Sequence, residues 1–493
     1  MNALRRLSKS MISSKKLLSS ADEAVKLIKS GDTVLAGGFG LAGVPFSLLK
    51  AITRRSELNG LTFVSNTAGT DKHGLSLVIA SGQAKKMMCS YVGENKLFEQ
   101  AYLGGKLEVD LIPQGTLAEK MRAAGAGIAY FSTPTGVGTL VETGGFISKY
   151  TLDKKPEIYS KGRDTIKDPR TGKKLLLEPA LHGDVGIVKA SIADESGNLI
   201  FNKSTNNFNV DIAKASKVVI AEVEKIVPAG SLDPSHIHLP GIFVDKMILT
   251  EEKEKPFEKI VNTRMIAEAG EKLLHKDQVR RKIAERAAKD IFDGAVINLG
   301  IGIPVLIPVF VNPKYDINIH AENGIMGVNG YPEEGHEDPD LINPAKETVT
   351  VKRDASFFSS ADSFGIVRGG HLDFTFLGTM EVDQQGDLAN WVIPGKFLKG
   401  MGGAMDLVSS GSPVIVCTEH IDKNKKPKVV SKCSLPLTGI NCVTKIITNW
   451  AVFDVKPDNK GLLLKEIAEE VDLATVINNT GCEFEVSKNL KKF

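Results

Sequence analysis

Thr33-Val34-Leu35-Ala36-Gly37-Gly38-Phe39-Gly40-Leu41-Ala42-Gly43-Val44-Pro45 sets a short apolar run against a glycine-dense turn closed by proline. Thr33–Ala36 reads as a buried strand, and the glycines that follow permit positive φ and close backbone approach. The device returns, three residues shorter, as Val296-Ile297-Asn298-Leu299-Gly300-Ile301-Gly302-Ile303-Pro304. Two more echoes occur in the same order. Asp194-Glu195-Ser196-Gly197-Asn198-Leu199 resembles Asp383-Gln384-Gln385-Gly386-Asp387-Leu388, and Val218-Val219-Ile220-Ala221-Glu222 resembles Val414-Ile415-Val416-Cys417-Thr418-Glu419. Apolar runs at 61–64, 86–92 and 107–112 alternate with helical stretches at 94–103 and 116–124. Such alternation predicts a parallel-rich sheet. The fold class is therefore α/β: two related open α/β domains with the active site between them, where ligands commonly bind.

Outward from these repeats, the chain divides into 1–20, 21–249, 250–277 and 278–493. Ser20 and Glu23 form a capping box for a helix whose stripe is Ala21, Ala24, Val25 and Ile28. Residues 151–180, rich in Lys, Asp, Pro and Gly, read as a surface excursion. The stretch 250–277 opens with Glu251-Glu252-Lys253-Glu254-Lys255-Pro256 and reads as a charged linker, or else as a solvated helix within one domain. A helix from about Val279 to Phe292 starts the second half. Residues 1–20 hold Arg5, Arg6, Lys9, Lys15 and Lys16 and no acid, with Leu4, Leu7, Met11 and Ile12 on one helical face. That is the pattern of a mitochondrial presequence, without the apolar run of about 7–15 residues that marks a secretory signal. A frayed basic terminus is the plainer alternative.

The chain has 493 residues, 42% of them hydrophobic and 25% charged, with net charge +3. At about 100–200 residues per domain this length gives two to four domains. Beyond residue 20 the balance is 57 basic against 59 acidic residues, which argues against a nucleic-acid partner. No apolar run reaches the roughly 18 residues of a membrane span, and Pro304 and Pro308 interrupt the longest, from Ile297 to Val311. Five cysteines, with no Cys-x-x-Cys, argue against a disulfide framework or a zinc site. His236 and His238, beside Pro234 and Pro240, read as a loop pair before a metal site.

Three constellations could carry chemistry. Gly38-Phe39-Gly40-Leu41-Ala42-Gly43 matches Gly-x-Gly-x-x-Gly after a strand, with Glu57 about 20 residues on. A nicotinamide oxidoreductase is thus a rival reading, and a turn that needs glycine only for packing is another. Asp316-Ile317-Asn318-Ile319-His320-Ala321-Glu322-Asn323-Gly324 alternates as a strand and ends at a turn signal, so Glu322 is the last side chain before a reversal. A solvent-exposed acid at a hairpin tip is the bland reading. Lys399-Gly400-Met401-Gly402-Gly403-Ala404-Met405-Asp406-Leu407 offers backbone N–H groups to an anion or an acyl oxygen, or is a flexible loop. A catalytically silent ligand-binding protein also fits these features.

The 38–45 turn and Glu322-Asn323-Gly324 resemble signatures of the 3-oxoacid CoA-transferases. So do Ser90-Tyr91-Val92-Gly93-Glu94-Asn95, Pro113-Gln114-Gly115-Thr116-Leu117-Ala118-Glu119, Asn298-Leu299-Gly300-Ile301-Gly302-Ile303-Pro304, Gly395-Lys396 and Gly402-Gly403-Ala404-Met405-Asp406-Leu407. The resemblance implies that Glu322 is the nucleophile and carries CoA as a glutamyl thioester. It implies that Gln114 and Asn66 stand near the acyl substrate, Lys346 near the glutamate and CoA, and Asn298 in the site lining. Gly38, Gly40, Gly300, Gly302, Gly402 and Gly403 would form the oxyanion and CoA loops, with Gly403 the first candidate donor. Thr67 and Ala42 depart from the family pattern. The implied substrates are succinyl-CoA, acetoacetate and CoA itself, with no cofactor and no metal. A homodimer, the mitochondrial matrix and ketone-body use are implied in the same way, with no nucleic-acid or membrane partner. A carboxylate suits CoA exchange, because its anhydride and thioester are close in reactivity to the substrates. With an ordinary pKa near ~4.3, Glu322 is expected to be ionised at neutral pH without tuning.

Overall fold

Val34, Leu35 and Ala36 are buried on both faces, as a strand with parallel neighbours on each side requires. In the computed structural model, which describes residues 16–266, 278–394, 397–457 and 461–493, Thr33–Ala36 lies between Gly183–Asp194 and Leu61–Val64. From edge to edge the first sheet runs Lys246–Leu249, Ser216–Val227, Gly183–Asp194, Thr33–Ala36, Leu61–Val64, Ala84–Cys89 and Glu108–Leu111, all paired parallel, with the short Leu199–Ile200 added antiparallel to Gly183–Asp194. Val296–Leu299 holds the matching place in a second sheet, between Asn318–Ala321 and Phe374–Leu377, both parallel to it. Val414–Thr418 lies beyond Phe374–Leu377, as Ser216–Val227 lies beyond Gly183–Asp194.

Each echo in the sequence falls on one physical device. Asp194 Oδ1 accepts from Ser196 N and Asn198 N at 2.9 and 3.0 Å; Asp383 Oδ1 accepts from Gln385 N and Asp387 N at 3.0 Å each. The glycines between them, Gly197 and Gly386, take φ of 90° and 84°, which a side chain would resist. Beyond Val414–Thr418 the second sheet goes on through the parallel Val443–Thr448 to the antiparallel Ala451–Val455 and Leu462–Ile467, which the first sheet lacks, and the sheets differ at the opposite edge as well. The first continues with parallel strands, whereas the second turns back through the antiparallel Ile325–Gly330 and Thr350–Phe357. That reversal makes the hairpin that carries Glu322.

Helices form at Lys96–Leu103 and Gln114–Gly125, where apolar periodicity places them. The second-half helix is Gln278–Ala288, which stops short of the expected Phe292; the chain then turns, and Gly294 takes φ of 84° before the next strand. The capping box is half formed. Ser20 accepts from Glu23 N, but the Glu23 carboxylate turns to Ser19 N at 2.9 Å. Residues 151–180 are a mostly exposed excursion that carries its own strands, Pro156–Lys161, Thr165–Lys167 and Lys174–Pro179, and is anchored by Glu178, buried against Lys120 at 2.5 Å.

Residues 1–15 of the basic start, 267–277 of the charged stretch and Gly395-Lys396 lie outside the described residues. The rest of the charged stretch packs onto both halves. Lys255 bridges Glu224 of the first (2.6 Å) and Asp340 of the second. Val261 N donates to Thr348 Oγ1 at 2.9 Å, and the backbone of Lys259 forms a parallel β-bridge with that of Glu347. This half-buries Glu258 and covers its Oε2.

Candidate active site

Backbone bonds stitch the halves together at the glycine turns. Gln114 N donates to Gly402 O at 2.9 Å, Gly402 N to Ser90 O at 3.1 Å, and Val92 N to Lys399 O at 2.7 Å. The Asp406 carboxylate reinforces the seam. It accepts from Gly115 N at 2.8 Å and Thr135 Oγ1 at 3.1 Å, with Arg368 Nη1 3.8 Å away. Burial pushes its pKa up to about 6, and Arg368 pulls it back. Between the halves lies a cavity of about 390 Å³ lined by residues of both.

Glu322 opens the turn of the hairpin formed by Asn318–Ala321 and Ile325–Gly330. Gly324 N donates to Ala321 O at 3.0 Å, and Gly324 has φ of 101°, with a missing Cβ that would lie 2.1 Å from Phe358 O. Only glycine closes this reversal against that carbonyl. Asn323, fully buried, donates its amide to Ile342 O at 2.7 Å. The hairpin tip is therefore turned inward and fastened, which excludes a solvent-exposed acid.

The Glu322 carboxylate meets Gln114 Nε2 at 3.2 Å; Gln114 Oε1 accepts from Asn66 Nδ2 at 2.7 Å. Asn66 and Gln114 are both buried, so the amide chain is fixed before substrate arrives. A Cβ on Gly403 would stand 2.0 Å from Glu322 Oε2, so the carboxylate lies directly against this glycine. Burial raises the Glu322 pKa to about 7; Lys346 lowers it, Asp406 raises it and Gln114 lowers it. This corrects the expectation of an untuned carboxylate: enclosure penalises the anion.

Lys346 is buried, at φ of 64°, in the turn that follows Asn343. Its Nζ stands 4.4 Å from the Tyr91 ring centroid and 5.6 Å from that of Phe39, both in the first half. Burial lowers its pKa, while Glu258 and Glu322 raise it. Asn298 lines the cavity, and its amide faces His320 Nδ1 at 3.1 Å. His320 Nε2 faces Ser363 Oγ at 3.0 Å, and burial lowers the ring to about 4, so it is neutral. With Asn298 donating to Nδ1, the ring proton sits on Nε2.

Glu322, Gln114, Asn66, Asn298, Lys346, Gly300, Gly402 and Gly403 thus converge on one cavity. Gly38, Gly40 and Gly302 are not among its lining residues. Gly38 gives way to Val44, whose Cγ2 would lie 2.4 Å from a Cβ there. Gly302 begins the turn that leads into Ile303–Phe310. Gly40 lies beneath Lys346 and Glu258, with φ of 54°. Phe39, Tyr91, His320, Asp406 and Glu258 were not singled out from sequence. Asp406 alone carried a signal: a lone acid inside an apolar helical run after a glycine turn.

The dinucleotide reading fails on geometry. The helix after the glycine turn is Phe46–Arg54, and its amides at Ser47 and Leu48 are already taken by the Glu222 carboxylate, at 2.9 and 3.2 Å. A pyrophosphate would need those donors. The space beside Gly37 and Gly43 is filled by Asn209. Glu57 is exposed and pairs with Arg55 at 2.7 Å. His238, for its part, accepts from Phe201 N at 2.9 Å, which ties down its loop.

Known proteins match this chain along both halves. The model of the family described as coenzyme A transferase matches residues 18–249 and 280–479. The human protein succinyl-CoA:3-ketoacid coenzyme A transferase 2, mitochondrial, is 46% identical over 470 residues, covering 95% of this chain and 90% of its own. In Bacillus subtilis the two halves match two separate chains, the two subunits of a probable succinyl-CoA:3-ketoacid coenzyme A transferase. One is 50% identical over 244 residues, half of this chain and 94% of its own. The other is 46% identical over 213 residues, 43% of this chain and 98% of its own. Among solved structures, the acyl-CoA transferase YdiF apoenzyme of Escherichia coli O157:H7 superposes with a TM-score of 0.77 at 22% identity, covering 97% of this chain and 95% of that one.

Proposed function

The chain belongs to the coenzyme A transferase family, and on that premise we propose that it moves CoA from succinyl-CoA to acetoacetate through a thioester on Glu322. A Glu322 carboxylate oxygen attacks the succinyl thioester carbonyl. The C–S bond breaks, CoA leaves as thiolate, and a mixed anhydride forms. The thiolate then attacks the glutamyl carbonyl, the anhydride C–O bond breaks, and succinate departs. Acetoacetate runs the two steps in reverse, restoring the Glu322 carboxylate and leaving as acetoacetyl-CoA. No proton is gained or lost, so neither a general base nor a resident cofactor or metal is needed: CoA thioesters are the substrates. Splitting the transfer this way makes the kinetics ping-pong.

The observation that carries the reading is one enclosed carboxylate, Glu322, lying against Gly403 and held by Gln114 at the seam of the two halves. Enclosure raises the energy of the anion before attack and keeps water from the anhydride. The Gly403 backbone N–H is the candidate donor to the oxyanion; such a donor contributes about 3–4 kcal/mol in comparable sites. Lys346 supplies a nearby cation that favours the Glu322 anion and receives incoming carboxylates. The reading extends to a homodimer in the mitochondrial matrix that serves ketone-body use. The names of the mammalian relatives and the basic, acid-free residues 1–20 support the mitochondrial location.

The test is chemical trapping. Incubation with acetoacetyl-CoA alone, then borohydride and digestion, should leave the mass of a reduced carboxyl group on Glu322, with activity lost. Reduction at another residue, or full activity in Glu322→Ala, defeats the assignment.

A further inference from the structure

The charge around Lys346 is more than catalysis by Glu322 alone requires. Glu258, from the segment joining the halves, is enclosed beside it. One missing Cβ marks where the two meet: built on Gly40, it would stand 2.7 Å from Lys346 Cγ and 2.8 Å from Glu258 Oε2. Glu258 Oε2 is buried and accepts no hydrogen bond among the described residues. Burial raises the Glu258 pKa and Lys346 lowers it, so the two groups are electrostatic partners. The other groups facing Lys346 do not duplicate this. Glu322 stands on the hairpin side. Lys259 and Lys399 are like charges. Glu94 is engaged by Lys399 at 3.2 Å. Tyr91 presents its ring, and burial pushes its hydroxyl up to about 12, so it stays neutral. Phe39 supplies only a π-face.

Glu258 and Glu322 therefore both favour the Lys346 ammonium in the resting enzyme, Glu258 from beside the lysine stem at Gly40. On the thioester reading above, Glu322 loses its charge in the anhydride and in the thioester, whereas Lys346 stays enclosed. A buried cation without a counter-charge is strongly disfavoured. We propose that Glu258 is a positioning residue, the permanent counter-charge that holds the Lys346 ammonium ready for the incoming carboxylate while Glu322 is covalently occupied. The joining segment thus matters most while the thioester waits for its acceptor, when no other carboxylate is left to balance the ammonium. Gly40 takes part as the space that lets the pair approach.

The experiment separates the two half-reactions in the full-length protein by rapid quench across pH. Loading is followed with succinyl-CoA, and discharge by adding acetoacetate to isolated enzyme–CoA. In Glu258→Gln, discharge at pH 8 should fall by about tenfold or more, and its alkaline limb should move about one unit or more to lower pH. Loading at pH 7 should stay within about threefold of wild type, a change of under half a pH unit's worth of energy. Glu258→Asp should restore part of the discharge rate and shift the limb less, and it stands in if the Gln variant does not fold. Equal slowing of both half-reactions with no movement of the alkaline limb, or an unchanged discharge rate, overturns the proposal. The wild-type loading arm reports on the thioester itself: no CoA on Glu322 there overturns the reading beneath it, whatever the variants do.

Discussion

Gly403→Ala isolates how closely the nucleophile is seated. The new methyl carbon would lie 2.0 Å from Glu322 Oε2 and 2.8 Å from Cδ, with Phe364 Cε1 at 3.0 Å on the other side. A non-bonded carbon and oxygen settle at roughly 3.3 Å or more. The carboxylate must therefore retreat by about 1 Å, twice the ~0.5 Å that a productive geometry tolerates. A misplacement of that size costs about 100-fold in rate. The colliding group is the end of a side chain with rotatable bonds, and Gly403 has φ of −85°, which alanine adopts freely. The fold should survive, with a melting temperature close to wild type. The assay is the initial rate of acetoacetyl-CoA enolate absorbance, with kcat and KM determined for both substrates and a parallel melt. The loss should fall on kcat, because CoA binds largely through groups remote from the carboxylate. A kcat within about threefold of wild type would falsify the seating described here, since it would mean Glu322 attacks from elsewhere.

Because burial raises Glu322 to about 7, the anion is lost below that pH. Thioester formation should then rise with pH along a limb centred near neutrality; Lys346→Met, which removes the cation that lowers this pKa, should move the limb upward, and a limb near pH 4 would contradict both. Glu222→Ala strips the cap from the Phe46–Arg54 helix and leaves buried Lys189 without its 3.2 Å partner. Urea unfolding should show a loss of about 3–5 kcal/mol. His420 is buried between Thr448 Oγ1 at 3.0 Å and Thr480 Oγ1 at 3.1 Å, and burial lowers its pKa to about 4. Between about pH 6.5 and 4 the unfolded chain takes up a proton here that the folded chain refuses, so this residue makes stability fall as pH falls. In His420→Asn the difference in stability between pH 7 and pH 5 should shift by about 2 kcal/mol in favour of the acid side, read from urea melts at both values.

Much of this molecule is legible along the chain because its determinants are local. A run such as Val34-Leu35-Ala36 is buried on both faces wherever it sits in a parallel sheet, so the two glycine-turn strands and their shared place in two sheets can be read directly. The reversal at Gly324 is written in Asn323-Gly324, and its closeness to Phe358 O explains why glycine stands there. Other features depend on what folds against them. The strands within 151–180 are mostly exposed and are anchored at a few points, the buried Leu176 and the contact of Lys120 with Glu178. Gly38 and Gly40 are alike in sequence, yet one packs on Val44 and the other on the stem of Lys346.

Residue order alone established a two-half α/β protein with an acid ahead of a sharp turn, because strand burial and turn chemistry act over a few neighbours. It could not establish the charge state of that acid. Glu322 is raised to about 7 by enclosure that comes from both halves, and the groups that temper it, Lys346 and Gln114, lie 24 and 208 positions away. Electrostatic energy depends on distance in space and on the exclusion of water, and only the closed tertiary structure supplies either.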